Sequence, residues 1–167
     1  MESSVRKVNS NEETLIFSFL FLASRMLEGN EPIQKAVTDP FLKKYWFGWG
    51  RPGDLGVVSI DGATGIPISC SWVRLFSKEE AGTSFVGEGF PELATGTVEK
   101  FRGKGVGTVT LQSLIELAKP TYPGICLSVR EDNPAVKLYE RLSFKMVPGS
   151  EMKNRIGTKS FNMLLQF

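Results

Sequence analysis

Histidine is missing altogether from the 167-residue sequence. Because His is the commonest general base and a frequent zinc ligand, its absence removes the usual Ser-His and Cys-His pairs and most zinc sites. Cysteine is scarce as well: Cys70 and Cys126 lie in separate apolar segments without metal-ligand spacing. We therefore expect no bound metal and a reduced, cytoplasmic compartment.

The chain also lacks a strong charge and a long apolar run. Its net charge is +2, and no basic cluster alternates with aromatic residues, so we expect no nucleic-acid partner. The apolar run at 15–23 (LIFSFLFLA) is too short to cross a bilayer. Two acidic residues precede this run and a poor cleavage site follows it, so we expect neither a secretion signal nor a membrane partner.

Length and hydrophobic patterning predict one domain, 1–167, of mixed α/β class. A capping box of Ser10 and Glu13 predicts a first helix that continues to about Glu28. A second helix is expected from Pro32 toward Tyr45, and a Gly-rich segment without periodicity covers 76–90. The remaining helices are predicted between the Gly turn and Pro120 and over 133–142. Strands are predicted over 3–8, 55–60, 66–75, 92–98, 125–129, 145–147 and 160–165.

The most informative segment is Phe101–Leu111, FRGKGVGTVTL, which lies between a predicted strand and a predicted helix. Glycines at 103, 105 and 107 allow consecutive backbone N–H groups to face one concavity, and the helix start adds unpaired N–H groups and a positive dipole end. Arg102 and Lys104 add two positive charges. The pattern predicts a phosphate site, with a tight strand-to-helix turn as the alternative. A dinucleotide fingerprint fits less well because the glycine spacing differs.

Two segments in this order resemble the GNAT superfamily of N-acetyltransferases. FRGKGVGTVTLQSLIELAK, at 101–119, is similar to the acetyl-CoA signature of that family, in which Arg-x-x-Gly-x-Gly opens a helix. ICLSVREDNPAVKLYERLSF, at 125–144, resembles the segment that follows it. The chain departs from the family pattern at Glu99, where many members carry Pro, and at Ser143, where Gly is common. Asp132 rather than Asn133 falls at the usual distance from the tyrosine.

The resemblance implies a GNAT-like α/β fold with a central, mostly antiparallel, twisted sheet of about seven strands, a splayed parallel pair and about four helices. It also implies acetyl-CoA as co-substrate, with the pyrophosphate on the Gly turn and the pantetheine arm along the strand that precedes it. An ordinary paired strand is the alternative for that arm. The implied cofactor-binding residues are Thr95, Thr97, Val98, Arg102, Gly103, Lys104, Gly105, Val106, Gly107, Thr108 and Asn133.

By the same resemblance, Tyr139 and Glu92 are the candidate catalytic residues. Tyr139 matches the family tyrosine that protonates the leaving thiolate. Full transfer from a Tyr near pKa 10 to a thiol near 8.5 is uphill by roughly 2 kcal/mol, so hydrogen bonding to the thiolate is its expected contribution. Glu92 resembles a carboxylate base in placement, and Glu88 or a water path are the alternatives. Either Glu is ordinarily expected to lie exposed at the surface.

An aromatic segment at 45–51, YWFGWGR, follows the second predicted helix. In the family fold this region covers the acceptor site, so the segment is a candidate pocket for an apolar or aromatic amine. Core packing is the alternative. Arg51 is a candidate contact for an acidic group, and Trp72 is expected in the core.

The sequence therefore predicts transfer of an acetyl group from acetyl-CoA to a primary amine of a small molecule by direct attack. A protein N-terminal or lysine acetyltransferase and a non-catalytic acyl-CoA sensor are the alternatives. A third is an interaction module on the first helix, whose apolar residues nearly surround it. The sequence leaves open whether the chain forms a homodimer.

Overall fold

A computed structural model describes residues 2–167, which group into two compact units. The first unit combines the chain up to Arg74 with Ala94–Leu117, and the second combines Leu75–Leu93 with Ala118–Phe167. Strands lie at β1 (Ser3–Lys7), β2 (Leu55–Asp61), β3 (Pro67–Arg74), β4 (Glu92–Thr97), β5 (Gly124–Arg130), β6 (Lys145–Met146), β7 (Met152–Lys153) and β8 (Lys159–Gln166). Helices lie at α1 (Glu13–Ala23), α2 (Gln34–Thr38), α3 (Pro40–Lys43), α4 (Lys78–Ala81), α5 (Val106–Ala118) and α6 (Val136–Arg141).

The mixed α/β class and the mostly antiparallel sheet are confirmed, and residues 2–167 form eight strands and six helices rather than about seven and four. In the first unit the strand order is β1-β2-β3-β4, with β1 and β3 antiparallel to β2. In the second unit β5 pairs antiparallel with β8 over seven register positions, and β6 and β7 also pair with β8. The parallel pair is β4 with β5, where Glu92 lies opposite Cys126.

The helices before β2 differ most from expectation. The predicted capping box of Ser10 is wrong, because Glu12 occupies the N-cap of α1. The Glu12 carboxylate accepts a hydrogen bond from Asn9 N–H at 2.7 Å and binds Arg6 Nη2 at 2.8 Å. The second predicted helix is two helices, because Pro40 has no N–H to continue α2. Asp39 starts α3 instead, since its side chain accepts from Phe41 N–H at 2.9 Å.

Two short elements were not predicted. Helix α4 has four residues, but Ser77 and Glu80 form a complete capping box in front of it. Strand β7 has two residues. Neither is long enough to show a hydrophobic period, so the pattern of apolar residues could not reveal them.

The core of the first unit forms around α1, the β2–β3 pair and two tryptophans, Trp49 and Trp72. Trp72 is buried, as predicted. Phe17, on the outer part of the apolar α1, packs against Trp46 with ring centroids 4.7 Å apart. Both cysteines are buried thiols, and burial raises the pKa of the Cys70 thiol. The buried residues of this core cluster are Ile16, Phe19, Leu20, Met26, Ala36, Leu42, Trp49, Val58, Cys70 and Trp72.

Among residues 2–167, no helix combines the length and the apolar character needed to cross a membrane.

Candidate functional site

The Gly turn connects β4 to α5 through a short 3-10 turn at Glu99–Phe101. Gly103 and Gly105 have φ angles of +72° and +82°, a left-handed conformation that L side chains adopt only under strain. A Cβ atom at either position would meet no atom within 4 Å. The requirement for glycine at these two positions is therefore conformational rather than steric.

This path leaves a run of backbone donors unpaired. Within residues 2–167, none of the six N–H groups from Gly103 to Thr108 makes a hydrogen bond of good geometry. The first to do so is Val109 N–H, which donates to Gly105 O at 3.1 Å. Gly103, Lys104 and Gly105 are exposed to solvent, and Gly107 is half-buried. Because unpaired donors at a helix start carry partial positive charge, the turn is suited to bind an anion.

Arg102 adds charge to the turn, but it is partly engaged. Its side chain is 45% exposed; Nε donates to Thr97 O at 3.1 Å, and Nη1 lies 3.5 Å from Glu28 Oε1. Glu28 also accepts a hydrogen bond from Arg25 Nε at 2.6 Å. That bond is the main reason why the pKa of Glu28 lies below its usual value, and the charges of Arg25 and Arg102 lower it further. The sequence did not predict Glu28 as a neighbour of the turn.

The end of β4 is held to β3 by hydroxyl pairs in which the serine is buried and the threonine is half-buried. Thr97 Oγ1 lies 2.8 Å from Ser69 Oγ, and Thr95 Oγ1 lies 2.6 Å from Ser71 Oγ. A Cβ atom at Gly107 would lie 2.9 Å from Thr97 Oγ1, so this glycine permits α5 to approach the strand. The side chains of Thr95 and Thr97, two of the predicted cofactor-binding residues, thus join β4 to β3.

Two further backbone positions of this strand are already used. Val98 N–H donates to Ile68 O at 2.9 Å, so it pairs with β3 rather than remaining free for a cofactor arm. A Cβ atom at Gly96 would lie 2.8 Å from Leu22 Cβ and 3.0 Å from Ala23 N. Gly96 therefore serves the close packing of α1 on β4.

The remaining predicted site residues lie in the second unit. Asn133 is half-buried, and its Oδ1 accepts from Ala135 N–H at 2.9 Å. This side chain stabilises the turn that leads into α6. A role for Asn133 in cofactor binding remains a prediction.

Tyr139 lies on α6 and is buried, with 7% of its surface exposed. Its ring packs against Phe144, with centroids 5.8 Å apart. Burial raises the pKa of Tyr139 to about 12, because the charged phenolate loses hydration there. The hydroxyl makes no hydrogen bond within residues 2–167. Tyr139 therefore holds its proton more tightly than an exposed tyrosine.

Glu92 is not the exposed carboxylate that was expected: only 3% of its surface is exposed. The segment before β4 folds over it, whereas Glu88 in that segment is exposed. Glu92 lines a cavity of about 10 Å³, which has room for about one water molecule. The other lining residues are Phe76, Ala81, Ser84, Phe85, Val86, Phe90 and Cys126.

The aromatic segment is divided between core and surface. Trp49 is buried and its Nε1 donates to Asn9 O at 2.9 Å, while Trp46 Nε1 donates to Ala36 O at 2.8 Å. Phe47 is 57% exposed. Packing thus accounts for both tryptophans, and Phe47 is the aromatic ring of the segment that solvent reaches most.

A buried arginine fixes the path of this segment. Arg74 is 1% exposed and its Nε donates to Asp54 Oδ1 at 3.0 Å. Its other nitrogens donate to the carbonyl oxygens of three residues at 2.8–2.9 Å: Lys44, Phe47 and Gly48. Arg51, the predicted contact for an acidic acceptor, lies 3.7 Å from Asp54 through its Nε. The sequence did not indicate the role of Arg74.

The family model described as the acetyltransferase (GNAT) domain matches residues 96–167, which include the Gly turn and Tyr139. Residues 96–167 thus resemble the GNAT acetyltransferase domain in sequence, and the chain resembles GNAT acetyltransferases in fold. The resemblance inferred from the sequence is thereby confirmed. No curated protein sequence matches the chain.

Solved structures with the GNAT fold extend the similarity to the whole chain. The GNAT-family acetyltransferase from Streptococcus pneumoniae is 14% identical with a TM-score of 0.63, covering 99% of this chain and 100% of its own. NAA60 of Arabidopsis thaliana, in complex with acetyl-CoA, is 18% identical with a TM-score of 0.61 and 99% coverage of both chains. A ribosomal-protein-alanine N-acetyltransferase from Brucella melitensis is 16% identical with a TM-score of 0.67, covering 98% of this chain and 99% of its own. At these identities the likeness is one of fold.

Proposed function

We propose that the protein is an acetyl-CoA-dependent N-acetyltransferase that acts on a primary amine of a small molecule. The observation that carries this proposal is the row of six unpaired N–H groups from Gly103 to Thr108, in a chain that resembles the GNAT domain over residues 96–167. Such a row has few uses other than holding an anion, and coenzyme A carries a pyrophosphate. Acetyl-CoA-bound neighbours such as NAA60 of Arabidopsis thaliana support the same ligand.

The residues of the turn fit the phosphate groups chemically. Gly103 and Gly105 leave open space above the backbone, so oxygen atoms can approach the N–H groups closely. Arg102 and Lys104 supply charge at the rim, and both are exposed. When bound, acetyl-CoA supplies an acetyl group activated as a thioester.

In the proposed reaction the amine nitrogen attacks the thioester carbonyl carbon, a C–N bond forms and the C–S bond breaks. The attacking amine loses a proton and the departing thiolate sulfur gains one. Glu92 is the proposed acceptor for the amine proton, and its small cavity is consistent with transfer through a single water. Tyr139 is the proposed hydrogen-bond donor to the sulfur.

The acceptor is proposed to contact the exposed part of the aromatic segment. Phe47 offers a solvent-facing ring, and Lys43 Nζ lies 4.3 Å from the centre of that ring. Trp46 and Trp49 are held by packing and by hydrogen bonds to backbone carbonyls. Phe47 is therefore the first position at which a substitution is expected to change the choice of amine.

A non-catalytic acyl-CoA sensor is the second candidate, because both candidate catalytic groups are buried. Glu92 is 3% exposed and Tyr139 is 7% exposed. A sensor would keep the Gly turn but would not need either group to meet an acceptor. A protein N-terminal or lysine acceptor is the alternative among enzymes.

Release of free thiol from acetyl-CoA, measured over a broad panel of amines and peptides, separates these functions. We expect turnover with at least one small amine, and a peptide-only response would move the proposal to a protein acceptor. No turnover on any acceptor, together with intact binding of coenzyme A, would establish the sensor.

Three variants then test the catalytic assignments. Tyr139→Phe should lower kcat by about tenfold and leave the Kd for coenzyme A unchanged. Glu92→Gln should lower kcat/KM by about tenfold or more, because the amide cannot accept the amine proton. Glu88→Gln is the matched control on the exposed carboxylate and should retain native turnover. An equal loss in both Glu variants would remove Glu92 from the mechanism.

A further inference from the structure

A buried hydroxyl pair joins α5 to the sheet behind the Gly turn. Ser59 Oγ in β2 lies 2.6 Å from Thr110 Oγ1 in α5, and both residues have no exposed surface. Their separation along the chain is 51 residues. The two hydroxyl groups therefore form a contact that only the folded first unit brings together.

The hydrogen atoms in this pair have one consistent arrangement. Thr110 Oγ1 donates its single hydrogen to Val106 O, at 2.8 Å. Because a hydroxyl has one hydrogen and two lone pairs, Ser59 must then donate to Thr110. The result is a chain of two hydrogen bonds that runs from Ser59 through Thr110 to the Val106 carbonyl.

The Val106 carbonyl, which accepts the last of these hydrogen bonds, is covalently connected to the Gly turn. The Val106 carbonyl and the Gly107 N–H belong to the same planar peptide group. Gly107 N–H is one of the six donors without a hydrogen bond in residues 2–167. A hydrogen bond to the carbonyl withdraws electron density from the amide, so the N–H at its other end becomes a stronger donor. Consecutive hydrogen bonds reinforce this polarisation by about 10–30% per bond.

We propose that Ser59 and Thr110 are positioning residues that strengthen and orient the Gly107 N–H as a donor to a pyrophosphate. This inference rests on the proposed function for the identity of the ligand, and on the ligand-free fold for the hydroxyl chain itself. Removal of the Ser59 hydroxyl should weaken the donor without changing the glycines, the charges or the path of the turn.

The amide resonance of Gly107 tests the hydroxyl chain in the ligand-free protein. In Ser59→Ala, we expect the Gly107 amide proton to shift upfield by more than that of Gly105. Thr110→Val should give the same shift, and Thr110→Ser, which keeps the hydroxyl, should restore the native position. Ser71→Ala is the matched control, because it removes a buried hydroxyl from an equally short pair on β3 that does not involve α5. A Gly107 shift that is unaffected by Ser59→Ala, or equal in Ser71→Ala, would overturn the proposal.

Calorimetric titration with coenzyme A and with pantetheine tests the consequence for binding. Ser59→Ala should weaken coenzyme A by about two- to fivefold, the size expected for one weakened hydrogen bond. Pantetheine lacks the pyrophosphate, and its affinity should be unchanged. An equal loss for both ligands would show a merely structural role and would overturn the inference. If the native chain fails to bind coenzyme A, the proposed function fails, and the ligand-free resonance still decides whether the hydroxyl chain exists.

Discussion

The Gly turn and the two candidate catalytic residues differ in their exposure to solvent. The turn presents backbone donors and charged side chains to water, with six N–H groups unpaired. Tyr139 and Glu92, in contrast, lie almost completely inside the second unit. In the proposed function, anion binding therefore rests on backbone donors that local glycines shape, whereas acid–base chemistry rests on side chains buried by distant parts of the chain.

Burial has a direct consequence for the chemistry assigned to Tyr139. With its pKa raised to about 12, full proton transfer to a thiolate near 8.5 is uphill by about 5 kcal/mol. This is more than twice the cost expected from the sequence. In the proposed reaction Tyr139 therefore contributes as a neutral hydrogen-bond donor.

The largest expected effect concerns the buried Tyr139. The folded state holds the Tyr139 proton more tightly than the unfolded state. The contribution of this proton to the free energy of unfolding is therefore fully present below pH 10 and is lost as pH rises toward 12. Relative to Tyr139→Phe, the native free energy of unfolding should fall by about 3 kcal/mol across that range. Chemical denaturation of both chains at stepped pH measures the difference. If the free energies of unfolding of the two proteins change in parallel with pH, Tyr139 is as well hydrated as a surface tyrosine.

The second prediction concerns the exposed glycines of the Gly turn. The double variant Gly103→Ala/Gly105→Ala places side chains where φ is strongly positive, at about 1–2 kcal/mol of strain each. The backbone of the turn should change conformation, so that its N–H groups no longer face one point. We expect calorimetry to show about 30-fold weaker coenzyme A binding. Gly149→Ala is the matched control, since Gly149 has a φ of +74° and equal open space outside the turn. Affinity within twofold of native in the double variant would exclude the turn as the phosphate site.

The smallest effect concerns the carboxylate beside the turn. Glu28→Gln removes a negative charge 3.5 Å from Arg102 Nη1, so coenzyme A should bind about twofold more tightly at low salt. The gain should fade as salt is added. Glu79→Gln, an exposed change of the same charge on α4, should have no effect. An identical gain in both variants would assign the effect to net charge alone.

The sequence allowed prediction of features that depend on neighbouring residues. The Gly turn, helix α5 and the long strands follow from glycine positions and hydrophobic period, and all lie near their expected bounds. The break between α2 and α3 was not predicted, although Asp39-Pro40 is a typical helix start.

Features that depend on distant residues were not predictable. Glu92 was expected at the surface because nothing nearby in sequence shows that the segment before β4 covers it. Glu28 meets Arg102 across 74 residues, and Ser59 meets Thr110 across 51. These contacts arise only when strands and helices pack, and no periodic pattern encodes them.

Arg74 has a consequence for how this protein can change over evolutionary time. Its guanidinium group contacts the backbone oxygens of Lys44, Phe47 and Gly48, not their side chains. Substitution of Lys44 or Phe47 therefore leaves those hydrogen bonds in place. Side chains on the surface of the aromatic segment can therefore change while its backbone path stays constant, and under the proposed function such changes can alter the acceptor without rebuilding the scaffold.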